Sequence, residues 1–237
     1  MLILAIESSA SPASAAVLED GKLLGETFVN TKQTHSQTLL PMVQNLMNSL
    51  GKTCADFDVM AVTNGPGSFT GVRIGVSCVK GLAMTNDTPC CGVSTLEAIA
   101  MPGRTYEGCI ICAVMDARCG QVYNALFQVT GGTLHRLTSD RALSIAELSQ
   151  ECESYQDRLV LFGDGAVLCY EAFQAWGAQI APPELRFQRA SSVALLALES
   201  AKTGKTVTVQ ALMPSYLRLP QAERELKKRQ KKGEKGT

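Results

Sequence analysis

One order of apolar segments runs through this chain twice, and that doubling limits the fold more than any single residue does. Residues 2–6, 14–18 and 23–29 read as three strands, the last two joined by Asp20-Gly21. A helix follows in which Leu39, Leu40, Val43, Leu46, Met47 and Leu50 line one face at a 3.6 period. Pro41 kinks or restarts it, and Gly51 ends it. Residues 59–62 form a strand, 69–85 a second helix, 90–93 a short strand, and Ser94 caps a brief helix through Ala100. After Met101-Pro102-Gly103 the order returns. Strands are expected at 109–115, 121–129 and 133–137, with Gly131-Gly132 turning the last pair. Ser144 caps a helix to about Cys152, with Glu147 at the capping-box position. A strand at 159–162, a helix at 166–176 and, past Pro182-Pro183, a helix capped by Ser191 or Ser192 complete the second pass. A repeat of architecture without a repeat of sequence implies two similar α/β lobes, each a mixed sheet flanked by helices, with a cleft between them. The expected division is 1–104, 105–220 and a charged tail at 221–237.

Inside the first lobe one stretch stands apart: Asn64-Gly65-Pro66-Gly67-Ser68-Phe69-Thr70-Gly71-Val72-Arg73-Ile74-Gly75. Gly65, Pro66 and Gly67 set a tight turn between strand and helix, and Ser68 is placed to cap the helix. Such a loop is either a structural turn or an anion site, because N–H groups at a helix start point outward. It is not a nucleotide fingerprint; both the dinucleotide spacing and the P-loop Lys-Ser/Thr pair are missing. The helix after it is apolar nearly all round, broken only by Arg73, Ser77 and Lys80, so it needs cover on more than one side. Gly71 and Gly75, four apart, would let another backbone come close.

The run from Gly65 to Gly75 resembles the signature of the TsaB (YeaZ) family. Leu4-Ala5-Ile6-Glu7-Ser8-Ser9, His35-Ser36-Gln37 with Leu39-Leu40-Pro41, Val93-Ser94-Thr95-Leu96-Glu97-Ala98, Met115-Asp116-Ala117-Arg118 with Val122-Tyr123, Gly163-Asp164-Gly165 and Pro214-Ser215-Tyr216-Leu217-Arg218 extend the resemblance to about residue 220. It implies the two-lobed fold of the actin, Hsp70 and sugar-kinase superfamily. It implies a non-catalytic dimerisation and activating subunit in the threonylcarbamoylation of the transfer-RNA adenosine beside the anticodon. The partners implied are a TsaD-like catalytic subunit and, through it, a TsaE-like ATPase and transfer RNA. A homodimer of the free chain stays an open alternative. Metal and ATP would belong to those partners, with no cofactor held tightly by this chain alone. The implied docking surface is the pair of helices carrying His35, Leu39, Val43, Leu46, Met47, Gly71, Val72, Arg73, Gly75 and Val79. The alternative function is a stand-alone ATP-dependent small-molecule kinase of the same superfamily.

The residues bear on both readings. Actin-like ATPases carry an Asp at the end of the first strand and glycines in the first hairpin. Here Glu7 takes the acid position, and the hairpin Ser8-Ser9-Ala10-Ser11-Pro12-Ala13 has no glycine. Glu7, Ser8, Asp116, Gly163 and Gly165 are therefore expected to mark a vestigial nucleotide cleft. The TsaD sister subunit chelates metal through two histidines four apart on a helix, a spacing that shares one face. Here His35 is followed by Leu39, and the second histidine, His135, lies in the other lobe, so no metal site is expected. Ser68 and Thr70 lack a nearby base and are not expected to be nucleophiles. Nine cysteines without framework spacing read as reduced thiols, mostly core; Cys109 and Cys112 on one strand would point to opposite faces. The chain carries 22 basic and 22 acidic residues, which argues against a nucleic-acid coat, yet seven basic and three acidic residues fall between Glu223 and Thr237. No apolar run is long enough to span a membrane and no basic leader precedes residues 2–6, so a cytoplasmic protein is expected.

Overall fold

A computed structural model describes residues 1–31 and 33–218; the expected tail at 221–237 lies outside them. The first sheet contains β1 (Leu2–Glu7), β2 (Ala13–Glu19) and β3 (Lys22–Val29). Helix α1 (His35–Ser49) leads to β4 (Val59–Gly65), α2 (Phe69–Ala83), β5 (Cys90–Ser94) and α3 (Thr95–Ala100). The second half runs β6 (Ile110–Asp116), β7 (Gln121–Thr130), β8 (Thr133–Arg136), β9 (Arg141–Ser144) and α4 (Ile145–Cys152). It continues through β10 (Leu159–Phe162), α5 (Ala166–Phe173), β11 (Gln179–Ile180), α6 (Pro183–Arg186) and α7 (Ala190–Lys202). The first sheet is ordered β3-β2-β1-β4-β5 and the second β8-β7-β6-β10-β11, with β9 also on β7. In each sheet the first three strands pair antiparallel and the last two join in parallel. The doubling expected from the apolar order is thus a doubling of topology.

Both central strands are covered on two faces, which is why they read as unbroken apolar runs. Leu2, Leu4 and Ile6 of β1 pack with α1 and α2, whereas Ile3 and Ala5 pack with α7. In β6, Ile111, Ala113 and Met115 join the core under α3, and Ile110, Cys112 and Val114 join the core under α4 and α5. Cys109 packs beside the first of these cores and Cys112 in the second, so the C-x-x-C is split between faces. Burial pushes the Cys169 thiol up to about 12, and that of Cys78 to about 11.

The expected boundary at 104/105 divides the sheets but not the helices. Leu96, Ile99 and Ala100 of α3 pack into the second lobe's core, while Ala190, Val193, Ala194 and Ala197 of α7 pack on the first sheet. The start of α7 corrects the expected cap at Ser191 or Ser192. The helix begins at Ala190, whose N–H donates to Ser14 Oγ of β2 (2.8 Å). Ser191 N–H donates to Glu26 Oε1 of β3 (3.0 Å), and Arg189 pairs with Glu26 Oε2 (3.1 Å). Distant side chains supply the cap here, so no local signal marks it. Past α7 the chain returns to the first lobe: Val207 pairs with Cys90 at the edge of β5, and Val209 and Leu212 enter the α1/α2 core. Residues 190–216 therefore belong to the first lobe by packing.

Candidate functional site

Two concave surfaces flank the Gly65–Gly75 stretch. The stretch itself is a tied turn. Ser68 Oγ caps α2 by accepting from Gly71 N–H (3.2 Å), as expected, while the Ser68 N–H donates to the Ser9 carbonyl (2.7 Å). A Cβ on Gly67 would sit 2.5 Å from that same Ser9 carbonyl, so only glycine admits the hairpin loop. His35 fixes the loop from the other side, its Nε2 donating to the Ala10 carbonyl (2.6 Å). Gly71 and Gly75 serve the same packing: a Cβ on Gly71 would collide with the Ser8 backbone carbonyl, and one on Gly75 with Ser8 Oγ. The close approach they permit is by the chain's own first hairpin, which corrects the expectation that they admit a partner helix.

The first concave surface is a cleft of about 600 Å³ between the lobes, lined by the hairpin loop, the signature loop, Asp116, Arg118, Asp164 and residues 215–218. Of the five residues expected to mark a vestigial nucleotide cleft, only Asp116 lines it. Glu7 is fully buried; its Oε1 accepts from Ser9 N–H (2.6 Å) and Ser9 Oγ–H (2.5 Å). Burial pushes its carboxyl above the usual range against the pull of Ser9; Thr63 lies near enough to oppose the shift without reaching Oε2 in hydrogen-bond geometry. Ser8 donates to the Gly71 carbonyl (3.0 Å). Gly163, at φ 107°, and Gly165 press against the end of β6. Asp116 accepts from Arg118 N–H (2.7 Å) and faces the Arg118 guanidinium at 3.3 Å. Asp164, marked in the sequence only as part of the Gly163-Asp164-Gly165 motif, is pushed up to about 6, first by burial and then by the charge of Asp116. Among the described residues no cluster of His, Cys, Asp and Glu is arranged to hold a metal ion. Leu39, at the position a second chelating imidazole would need, is 1% exposed.

The second concave surface is a groove of about 550 Å³ between α1 and α2. The residues expected to form a partner interface divide sharply here. Leu39, Val43, Leu46, Met47, Val72 and Val79 are buried in the first lobe's own core. Leu39 alone among those six also lines the groove, beside His35 and Arg73. The apolar wall is made instead by Leu40, which is 44% exposed, with Ile74, Cys78 and Leu82; Gly81 opens its floor, where a Cβ would meet nothing. On α2 these residues fall at i, i+4, i+7 and i+8, opposite the buried Val72, Val76, Val79 and Ala83. Separating the two faces by the 100° step would have found them.

Arg73 and Lys80, the cations that break the apolar surface of α2, are engaged by the chain itself. Lys80 Nζ donates to the carbonyls of Gln210 (3.2 Å) and Leu212 (3.1 Å). Arg73 lies 3.7 Å over the Phe69 ring and its Nε donates to Tyr216 Oη (2.8 Å). The segment they hold had no assigned role in the sequence reading beyond its motif.

Comparison with known proteins gives concordant results. A family model described as "TsaD: tRNA N6-adenosine threonylcarbamoyltransferase" matches residues 23–226. The Bacillus subtilis tRNA threonylcarbamoyladenosine biosynthesis protein TsaB is 35% identical over 94% of this chain and 96% of its own length. The Escherichia coli protein of the same name is 32% identical over 92% of this chain and 95% of its own. YeaZ from Pseudomonas aeruginosa superposes with a TM-score of 0.79 at 28% identity, covering 91% of this chain and 99% of that one. An activator of 2-hydroxyisocaproyl-CoA dehydratase from Clostridium difficile shares the fold alone, with a TM-score of 0.51 at 12% identity over 86% of this chain and 97% of that one. The two-lobed α/β fold, two mixed sheets flanked by helices, is the architecture expected from the resemblance.

Proposed function

The chain belongs to the TsaB family, and on that premise we propose that it acts in tRNA threonylcarbamoyladenosine biosynthesis as the non-catalytic partner of a TsaD-type subunit. The observation that carries this reading is the α1/α2 groove. It gathers exposed Leu40 with half-buried Ile74, Cys78 and Leu82 on one face of two adjacent helices, and an isolated chain would leave the uncovered part of that face in water. Fully burying an exposed leucine contributes about 1.5–3 kcal/mol and covering a half-buried side chain contributes less, so the four together can anchor an interface. The interior supports a non-catalytic role. Buried Leu39 leaves His35 without a chelating neighbour, and the His35 imidazole is spent on the Ala10 carbonyl. The hairpin loop that would meet a nucleotide's phosphates in a kinase-like relative is bonded to the signature loop instead. In this reading metal and ATP sit on partner subunits, a TsaE-like ATPase joins through the TsaD-type subunit, and transfer RNA meets the assembled complex.

Reconstitution tests the proposal. The TsaD-type subunit of the same cell, with the rest of the pathway, should modify transfer RNA only when this chain is added, and the chain alone should turn over no ATP. Modification at full rate without the chain, or ATP turnover by the purified chain, would overturn it.

A further inference from the structure

Residues 207–218 leave α7 and cross the first lobe as a strap. Its first part pairs with the edge of β5 through Val207 and Cys90. Val209 and Leu212 then anchor it in the core beneath α2. Its middle is bonded to the end of β4, with Ser215 N–H donating to the Asn64 carbonyl (2.6 Å) and Asn64 Nδ2 to the Met213 carbonyl (3.2 Å). Gly65 has a reason of its own in this crossing, because a Cβ there would collide with the Ser215 carbonyl. Tyr216 then stacks on Phe69 at 4.8 Å between centroids and accepts from Arg73. At the far end Arg218 Nη1 donates to the Ala117 carbonyl of the second lobe (2.8 Å).

We propose that this strap is a positioning element for the docking groove, fixing the α2 wall and fastening it to the second lobe. The inference rests on the docking reading above and adds how the groove is held in shape. Helix α2 carries two long cations within the described residues, Arg73 and Lys80, and the strap takes both. Arg73 lines the groove, while Phe69 and Tyr216, whose rings its guanidinium contacts, line the interlobe cleft. One side chain thus joins the two concave surfaces. With the strap seated, α2 is clamped along its first three turns, and Ile74 and Cys78 are presented from a fixed helix. With it lifted, Arg73 and Lys80 lose their acceptors, Phe69 loses its stacking partner, and the wall loses its orientation. A partner would then have to order α2 as it docks, and dissociation would speed up, because interface changes act mainly on the off-rate.

Tyr216 is the residue to change, since it is 43% exposed and its loss empties no core. The full-length chain with Tyr216→Ala and with Tyr216→Phe is compared with the unmodified chain in two measurements: backbone hydrogen exchange of the free protein, and binding kinetics with the TsaD-type subunit. Tyr216→Ala should speed exchange across residues 69–80 and 213–218 at an unchanged rate in β1 and β6. It should weaken binding about tenfold or more, mainly through the off-rate. Tyr216→Phe keeps the ring on Phe69 and loses only the bond to Arg73, so it should recover most of the affinity. Unchanged exchange in α2 would overturn the strap proposal while leaving the docking reading intact. So would faster exchange with unaltered binding, or equal losses in both variants. Absence of binding by the unmodified chain would instead remove the docking reading and this inference with it.

Discussion

Gly71, Gly75 and Asp164 each carry a constraint that a single substitution can test. Gly71 stands where a Cβ would strike the Ser8 carbonyl, a backbone atom that cannot move without moving β1. Alanine is the better helix former by about 1 kcal/mol, but overpacking a tight site costs about 1–3 kcal/mol, and the rigid neighbour decides in favour of the penalty. Gly71→Ala should therefore lower stability by up to roughly 2 kcal/mol in urea denaturation; a stabilised variant would show that the hairpin yields. Gly71 and Gly75 were legible in the sequence as close-approach positions, but not what approaches them. Spacing reports that a surface is small, and only the tertiary path of Ser8 supplies its occupant.

Asp164 contributes in the opposite sense to a usual surface carboxylate. Its folded value of about 6 lies above the reference 3.8, so ionisation disfavours the folded state. The penalty is absent below about pH 4, grows as the unfolded chain ionises between pH 4 and 6, and is complete above pH 6; its size at pH 7 is on the order of 2–3 kcal/mol. Asp164→Asn should stabilise the chain at pH 7 and lose that advantage as the pH falls to 4. A gain that is flat with pH would mean that the carboxyl does not hold its proton in the folded state.

At the scale of elements, the sequence was most informative where strands and helices are long. Capping hydroxyls at Ser68, Ser94 and Ser144 mark the starts of α2, α3 and α4 as expected. Strands β9 and β11 and the single turn α6 escaped, being two to four residues long and stabilised by pairing or packing rather than by their own pattern. The start of α7 escaped because Ser14 and Glu26 cap it across the fold. Removing the first of these, Ser14→Ala, leaves the buried Ala190 N–H without an acceptor and should cost about 1–2 kcal/mol on denaturation; no loss would mean that another group takes over the cap. The groove was legible only as an excess of apolar residues. Its face could not be chosen from the excess alone, because both sides of α2 are apolar and only one packs on the sheet. Among the described residues that line the groove only Arg73 is charged, so docking should depend on apolar contact more than on charge. Affinity for the TsaD-type subunit should change less than about threefold between 50 mM and 500 mM salt; a fall of tenfold or more would point to unscreened ion pairs at the interface.

At the scale of the whole molecule, two lobes of one topology are joined by exchange. Helix α3 follows the first sheet and packs on the second; α7 follows the second and packs on the first. A latch adds to this, with Arg136 bonded to Glu97 (3.0 Å) and Asp140 (2.6 Å), and Ser94 donating to Asp140 (2.6 Å). Together with the Arg218–Ala117 bond of the strap, these contacts tie the two lobes to each other. The repeat in apolar order made the two lobes readable from the chain; the exchange was not readable, because a helix covers either sheet equally well by pattern. The central claim is that α1 and α2 dock a TsaD-type subunit. Co-purification of that subunit on the tagged chain, unmodified and with Leu40→Asp plus Ser77→Asp, both exposed in the groove, tests it most directly. The account expects stoichiometric recovery with the unmodified chain. The double variant should recover at least about tenfold less while its Tm stays within about 4 °C of the original, a shift worth roughly 1 kcal/mol. A folded double variant that recovers the subunit at the original level would contradict the account.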